Sequence, residues 1–212
     1  SSPSGNTVVW YSKADTAWFG NDTKITKRLT KEKTFSDVAD DDHPDLPNSY
    51  GFVGWEGETP IVNDKYDIWK LNFYQPNAKT KLTNGRKNGF VYRYVKTDIE
   101  EKSIDFSKPI LLRFFDENTK KSGFARFENG RTETLIHDDF NFSTKVIKAK
   151  NASTVAFTKE SFNQFPDLQI SKSGNFNDIE KVSLANPQQQ FLDWGTAELV
   201  NWKATSGTLL RG

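Results

Sequence analysis

Two histidines, His43 and His137, are the candidate general bases of this chain, because imidazole titrates near neutrality. Asp138 and Asp139 follow His137 directly, which could set a carboxylate beside the ring, as in the orienting half of a nucleophile–base–acid triad. The serine of an α/β-type hydrolase needs a G-x-S-x-G elbow, whose tight strand-to-helix turn exposes the hydroxyl to its base. That pentapeptide does not occur. No catalytic residue is assigned, and His137 reads as part of a solvated turn after a strand.

Other clusters support little chemistry. The run Asp40-Asp41-Asp42-His43-Pro44-Asp45 offers closely spaced oxygen donors of the kind calcium prefers. It lacks the glycine and terminal glutamate of an EF-hand loop and reads as an exposed, solubilising linker. Glu100, Glu101 and Glu198 are acids that glycoside hydrolysis could pair, but the chain does not set their separation. Arg86, Lys87 and Arg93 could line a channel and hold a ligand's carboxylate or carbonyl; surface pairing with acids is the simpler reading. No metal and no cofactor is expected, and cysteine is absent, which excludes disulfides and thiolate sites.

Composition excludes further classes. Lys+Arg 29 against Asp+Glu 28 leaves no basic excess for neutralising phosphates, so no nucleic-acid partner is expected. No run reaches the roughly 18 apolar residues of a membrane span. Methionine is absent, even at position 1, and the chain enters a strand-like run at Thr7 to Tyr11; it reads as an excised or processed piece of a larger protein.

The elements that would position any site are strands. β-Branched and aromatic stretches such as Val91 to Val95, Ile110 to Phe115 and Val155 to Phe157 are bounded by turn clusters. The turns expected are Ser4-Gly5-Asn6, Thr83-Asn84-Gly85, Glu128-Asn129-Gly130 and Ser173-Gly174-Asn175. A two-part block recurs four times: Ala17 to Phe19 with Lys27 to Thr30, Tyr66 to Leu71 with Thr80 to Thr83, Gly123 to Phe127 with Thr132 to Ile136, and Asp167 to Ile170 with Glu180 to Ser183. Its anchors Leu29, Leu82, Leu135 and Val182 step by about 50 residues, a blade-length period. The expectation is an all-β partial β-propeller of about four four-stranded blades, over residues 1–31, 50–85, 90–137 and 144–183. The aromatic residues are expected to fill the space between blades. From Asn186 the pattern breaks, and residues 186–212 read as a crossing segment, with a strand at Ala197 to Trp202 and a hairpin about Ser206-Gly207.

Longer runs resemble a known family. They are Asp45 to Trp55 with Asp64 to Trp69, Leu82 to Asn88 with Phe90 to Val95, Ala149 to Ala152 with Phe157 to Phe162, and Asn186 to Gln190 with Trp194 to Val200. Together they are similar to the propeller half of serine peptidases of the prolyl oligopeptidase family, dipeptidyl-peptidase IV-like, of Bacteroidetes type. The resemblance implies a periplasmic or secreted parent whose propeller gates peptide substrates to a C-terminal α/β-hydrolase domain. Leu209 to Gly212 would be that domain's first strand, and the domain itself is absent here, so no catalytic residue is carried over. The paired-glutamate motif that grips a substrate amino terminus is also missing. A stand-alone propeller binding carbohydrate or protein is the alternative. Open blade edges would favour a homo-oligomer.

Overall fold

The computed structural model describes residues 1–31, 33–38, 46–75 and 78–212. Every ladder in it is antiparallel, and each sheet is drawn from one continuous stretch of chain. The first sheet holds β1 (Val8–Ser12), β2 (Ala17–Asn21) and β3 (Thr26–Arg28). The second holds β4 (Phe52–Glu56), β5 (Thr59–Asn63), β6 (Ile68–Leu71) and β7 (Lys79–Lys81). The third holds β8 (Phe90–Tyr94), β9 (Ile110–Asp116), β10 (Ser122–Glu128) and β11 (Arg131–Asp138). In the fourth, β12 (Asn141–Phe142) and β13 (Ile147–Lys148) both pair with β14 (Val155–Ser161), followed by β15 (Gln164–Ser171) and β16 (Ile179–Lys181).

All four two-part blocks form ladders, and in each sheet they are the last two strands. Among the described residues the first sheet has three strands, and the fourth begins at Asn141, its first strand split around Ser143 to Val146.

Each sheet stacks on the next through side chains from both. Trp18 and Leu29 of the first pack with Val62, Leu71 and Phe73 of the second stretch. Ile61 and Ile68 of the second pack with Tyr92, Leu112, Phe114 and Phe127 of the third. Phe124 of the third packs with Phe142, Val155, Phe157 and Phe176 of the fourth. Successive four-stranded meanders covering one another's faces define the β-propeller architecture. The expected interblade role of aromatic residues holds for Trp18 and Trp69, Trp55 is buried beside Phe52 of its own strand, and Trp10, Trp194 and Trp202 are exposed.

Short last strands leave backbone N–H groups of the preceding strand unpaired, and side chains take them over. The Ile68 amide donates to Thr83 Oγ1 at 3.1 Å, Leu168 to Ser183 Oγ at 2.8 Å, and Trp18 to Thr30 Oγ1 at 3.0 Å. In two sheets a buried carboxylate completes this lock. Asp67 Oδ1 accepts from the Thr83 hydroxyl at 2.8 Å and the Gly85 amide. Asp167 Oδ1 accepts from the Ser183 hydroxyl and the Ala185 amide, both at 2.8 Å. The corresponding residues elsewhere are Ala17 and Gly123. At Gly123 a Cβ would lie 1.9 Å from the Ile136 carbonyl oxygen, so the longer β11 ladder replaces the side-chain lock there.

Asn129 and Gly130 take positive φ, 51° and 74°, in the turn joining β10 to β11, as their types predict. Asn84-Gly85 is no such turn: Gly85 begins a 3-10 turn, Gly85–Lys87, that leads into β8. Beyond the fourth sheet, residues 192–200 are irregular, and β17 (Asn201–Lys203) and β18 (Leu209–Arg211) form a separate hairpin with Gly207 at φ 84°, whose Arg211 donates to the Asn118 carbonyl at 3.2 Å.

Replacing Asp67 by alanine leaves the Gly85 amide without its acceptor in a dry setting. The expected loss is about 2–3 kcal/mol of unfolding free energy, read as a lower urea midpoint with an unchanged slope, and the neutral Asp67→Asn should fall between.

Candidate functional site

His137 lies within strand β11 and not in a solvated turn. The ladder sets it opposite Gly123, and the missing side chain there makes room for the Phe114 ring. Its ring lies 5.2 Å from that of Phe114 and 5.6 Å from that of Phe90. Its Nε2 is 3.3 Å from Asp116 Oδ2. The carboxylate partner is therefore Asp116, at the end of β9, and neither Asp138 nor Asp139. Burial alone would raise the Asp116 pKa, but the Thr119 hydroxyl and the Asn118 and Thr119 amides outweigh it, and the net shift is downward.

An imidazole–carboxylate pair orients a base, but it needs a nucleophile. The neighbouring hydroxyls are committed elsewhere: Thr119 donates to Asp116 Oδ2 at 2.6 Å, and Ser122 donates to the Phe140 carbonyl at 2.6 Å. Among the described residues no hydroxyl is hydrogen-bonded to His137. The pair anchors β11 to β9 across the third sheet.

The candidate channel arginines sit at the junction of the second and third sheets. Arg86 contacts Asp64 at 3.2 Å and lies over the Tyr66 ring. Arg93, on β8, donates to the Tyr92 and Lys65 carbonyls at 2.7 and 3.2 Å; burial lowers its pKa against the pull of Asp64. Beside them Glu117 joins the sheets, accepting from the Tyr66 hydroxyl at 2.6 Å and pairing with Lys65 at 2.8 Å. These charges are satisfied within the protein and clamp the junction.

The glutamates are not brought together: Glu101 accepts from the Tyr94 hydroxyl, Glu100 is on the neighbouring turn, and Glu198 is exposed in the irregular segment. The run Asp40 to Asp45, with His43, lies outside the described residues. Among the described residues no group of His, Cys, Asp or Glu could hold a metal ion, and no helix is long and apolar enough to cross a membrane.

A cleft of about 460 Å³ opens where the fourth sheet meets the irregular segment. Its walls include Gln164, Phe165, Gln190, Asp193 and Trp194. Trp194 stands edge-on to Phe162 at 6.2 Å and donates from Nε1 to the Gln189 carbonyl at 3.1 Å. Gln189 in turn accepts from the Phe165 amide at 2.9 Å. Amides, carboxylates and a ring edge can hold a polar chain. Asp167, at the base of the cleft, has its pKa held down to about 2 by Lys181 and the Ala185 amide.

No family model matches the chain, and no curated protein matches it. Among solved structures, puromycin hydrolase superposes with a TM-score of 0.47 at 10% identity, over 99% of this chain and 32% of that one. A post-proline cleaving enzyme from Rickettsia typhi gives 0.47 at 9% identity, over 93% and 29%. The chain thus spans about a third of the length of these enzymes.

The depressed Asp116 and Asp167 pKa values set the sign of an acid effect. Both groups are more acidic folded than the ordinary 3.8, so their stabilisation is complete above that value and is lost as pH falls through the folded one. Urea midpoints should drop between pH 5 and about pH 2, and Asp116→Asn combined with Asp167→Asn should flatten that drop.

Proposed function

We propose that this chain is the non-catalytic, gating portion of a secreted or periplasmic serine peptidase. In that protein the stacked sheets wall off the active site of an adjoining α/β-hydrolase domain and admit short peptides. A wall of this kind excludes bulk water and folded proteins from the reacting groups. The observation that carries the reading is the change of character after the fourth sheet. Phe191, Leu192, Leu199, Val200, Trp202 and Leu209 are exposed along a segment that belongs to no sheet of the stack. Bare apolar side chains of that sort suit packing against another body. The propeller fold and the resemblance of Asn186 to Gln190 and Trp194 to Val200 to the family's crossing segment agree with it.

A binding module for carbohydrate or protein is favoured by one feature, the cleft beside Trp194. The two readings part in assay. The purified chain should cleave fluorogenic proline-containing peptides no faster than buffer, and the same reading frame should contain a G-x-S-x-G downstream. Cleavage sensitive to a serine-directed inhibitor, or an open reading frame with no hydrolase motif, would sink the gating role; saturable, Trp194-dependent glycan binding would replace it with the second.

A further inference from the structure

Strand β15 is only half covered by its neighbour. It runs from Gln164 to Ser171, but β16 pairs with Gln169, Ile170 and Ser171 alone. Val182 and Ser183 extend that pairing as far as Leu168 and no further. The remaining stretch opens into the cleft beside Trp194, where Gln164, Phe165 and Asp167 form part of the wall. A register shift in the β14–β15 ladder leaves Phe165 without a ladder partner, and its amide donates to Gln189 Oε1 at 2.9 Å. A side-chain carbonyl thus stands where the carbonyl of an added strand would stand. An uncovered stretch of strand is a template for a further extended chain.

The charges in the cleft are unequal. Asp167, Lys181 and Asp193 line it. Asp167 and Lys181 lie 2.5 Å apart and neutralise one another. Asp193 has no hydrogen-bond or ion-pair partner among the described residues, so the cleft keeps one uncompensated negative charge. Next to it the Trp194 indole is 46% exposed but held in place, by its Nε1 donation to Gln189 and its edge-on contact with Phe162. A carboxylate beside an open aromatic ring attracts a cation twice, through its charge and through the ring quadrupole. The side-chain amides of Gln164 and Gln190 can both donate to and accept from peptide groups. A neutral sugar would use the ring and the amides but would leave Asp193 without a counter-charge.

We propose that this cleft is a docking site for an extended basic peptide segment. A lysine or arginine side chain of the segment lies over Trp194 and against Asp193, and its backbone runs beside Gln164 to Asp167. The peptidase reading is not needed for this, since docking requires neither cleavage nor an adjoining domain. Failure of the docking would leave the gating role untouched.

A fluorescein-labelled peptide of alternating lysine and valine should bind the purified chain saturably in fluorescence anisotropy. The same peptide with glutamate in place of lysine should not. Asp193→Asn should weaken the lysine peptide about three- to fivefold, and Trp194→Ala about fivefold, with Trp194→Phe, which keeps a ring, between wild type and alanine. Asp193→Lys should weaken the lysine peptide further and strengthen the glutamate peptide. Asp193 and Trp194 are exposed, and circular dichroism should report an unchanged fold. Absence of saturable binding, equal binding of the two peptides, or an affinity unchanged by Asp193→Asn or by Trp194→Ala overturns the proposal. So does a neutral maltooligosaccharide that displaces the probe as well as the unlabelled lysine peptide does.

Discussion

A β-sheet with apolar side chains on both faces must be covered twice, and that constraint organises this molecule. A meander of three or four short strands has too little area to bury its own rings, so each sheet borrows its neighbour's. Phe124 shows the principle most directly. It belongs to the third sheet, but its ring stacks at 4.6 Å on Phe176 of the fourth stretch and contacts Phe142 and Phe157 as well. The core is therefore a series of junctions, and every buried cluster is shared by two consecutive sheets.

Polar groups serve the same end. The carboxylates of Asp67 and Asp167 sit where a ladder stops, and they turn unpaired amides into buried, satisfied ones. Arg86, Arg93 and Glu117 bind the second stretch to the third without leaving a charge aimed at a ligand. His137 and Asp116 tie two strands of one sheet. The residue types that suggest chemistry in the sequence hold strands and sheets together here, the His137–Asp116 contact among them.

Much of the fold was legible because the repeat is written twice, once in strand composition and once in spacing. The four ladders pair as the blocks predict. What local pattern could not show was partnership across strands. The sequence sets His137 beside its chain neighbours Asp138 and Asp139, whereas the ladder delivers Asp116 from another strand. Asn84-Gly85 has turn composition, but the Asp67 carboxylate captures the Gly85 amide and bends the chain into a 3-10 turn. The carboxylate lock did have a signal: Asp67 to Thr83 and Asp167 to Ser183 are separated by the same 16 residues, each with a lysine two places before the hydroxyl. The cleft had none, because its walls come from the β14–β15 connection and from a segment without periodicity.

Because every junction joins sheets that are consecutive in the chain, assembly is free to follow synthesis. The second sheet can dock on the first as soon as its own strands have emerged, before the third exists, and long-range searching is never required. Each newly made sheet would spend a short time with one bare apolar face, until its successor arrives. A ribosome translating this stretch would thus release the protein as a moving front, with only the latest sheet vulnerable to misassociation at any instant.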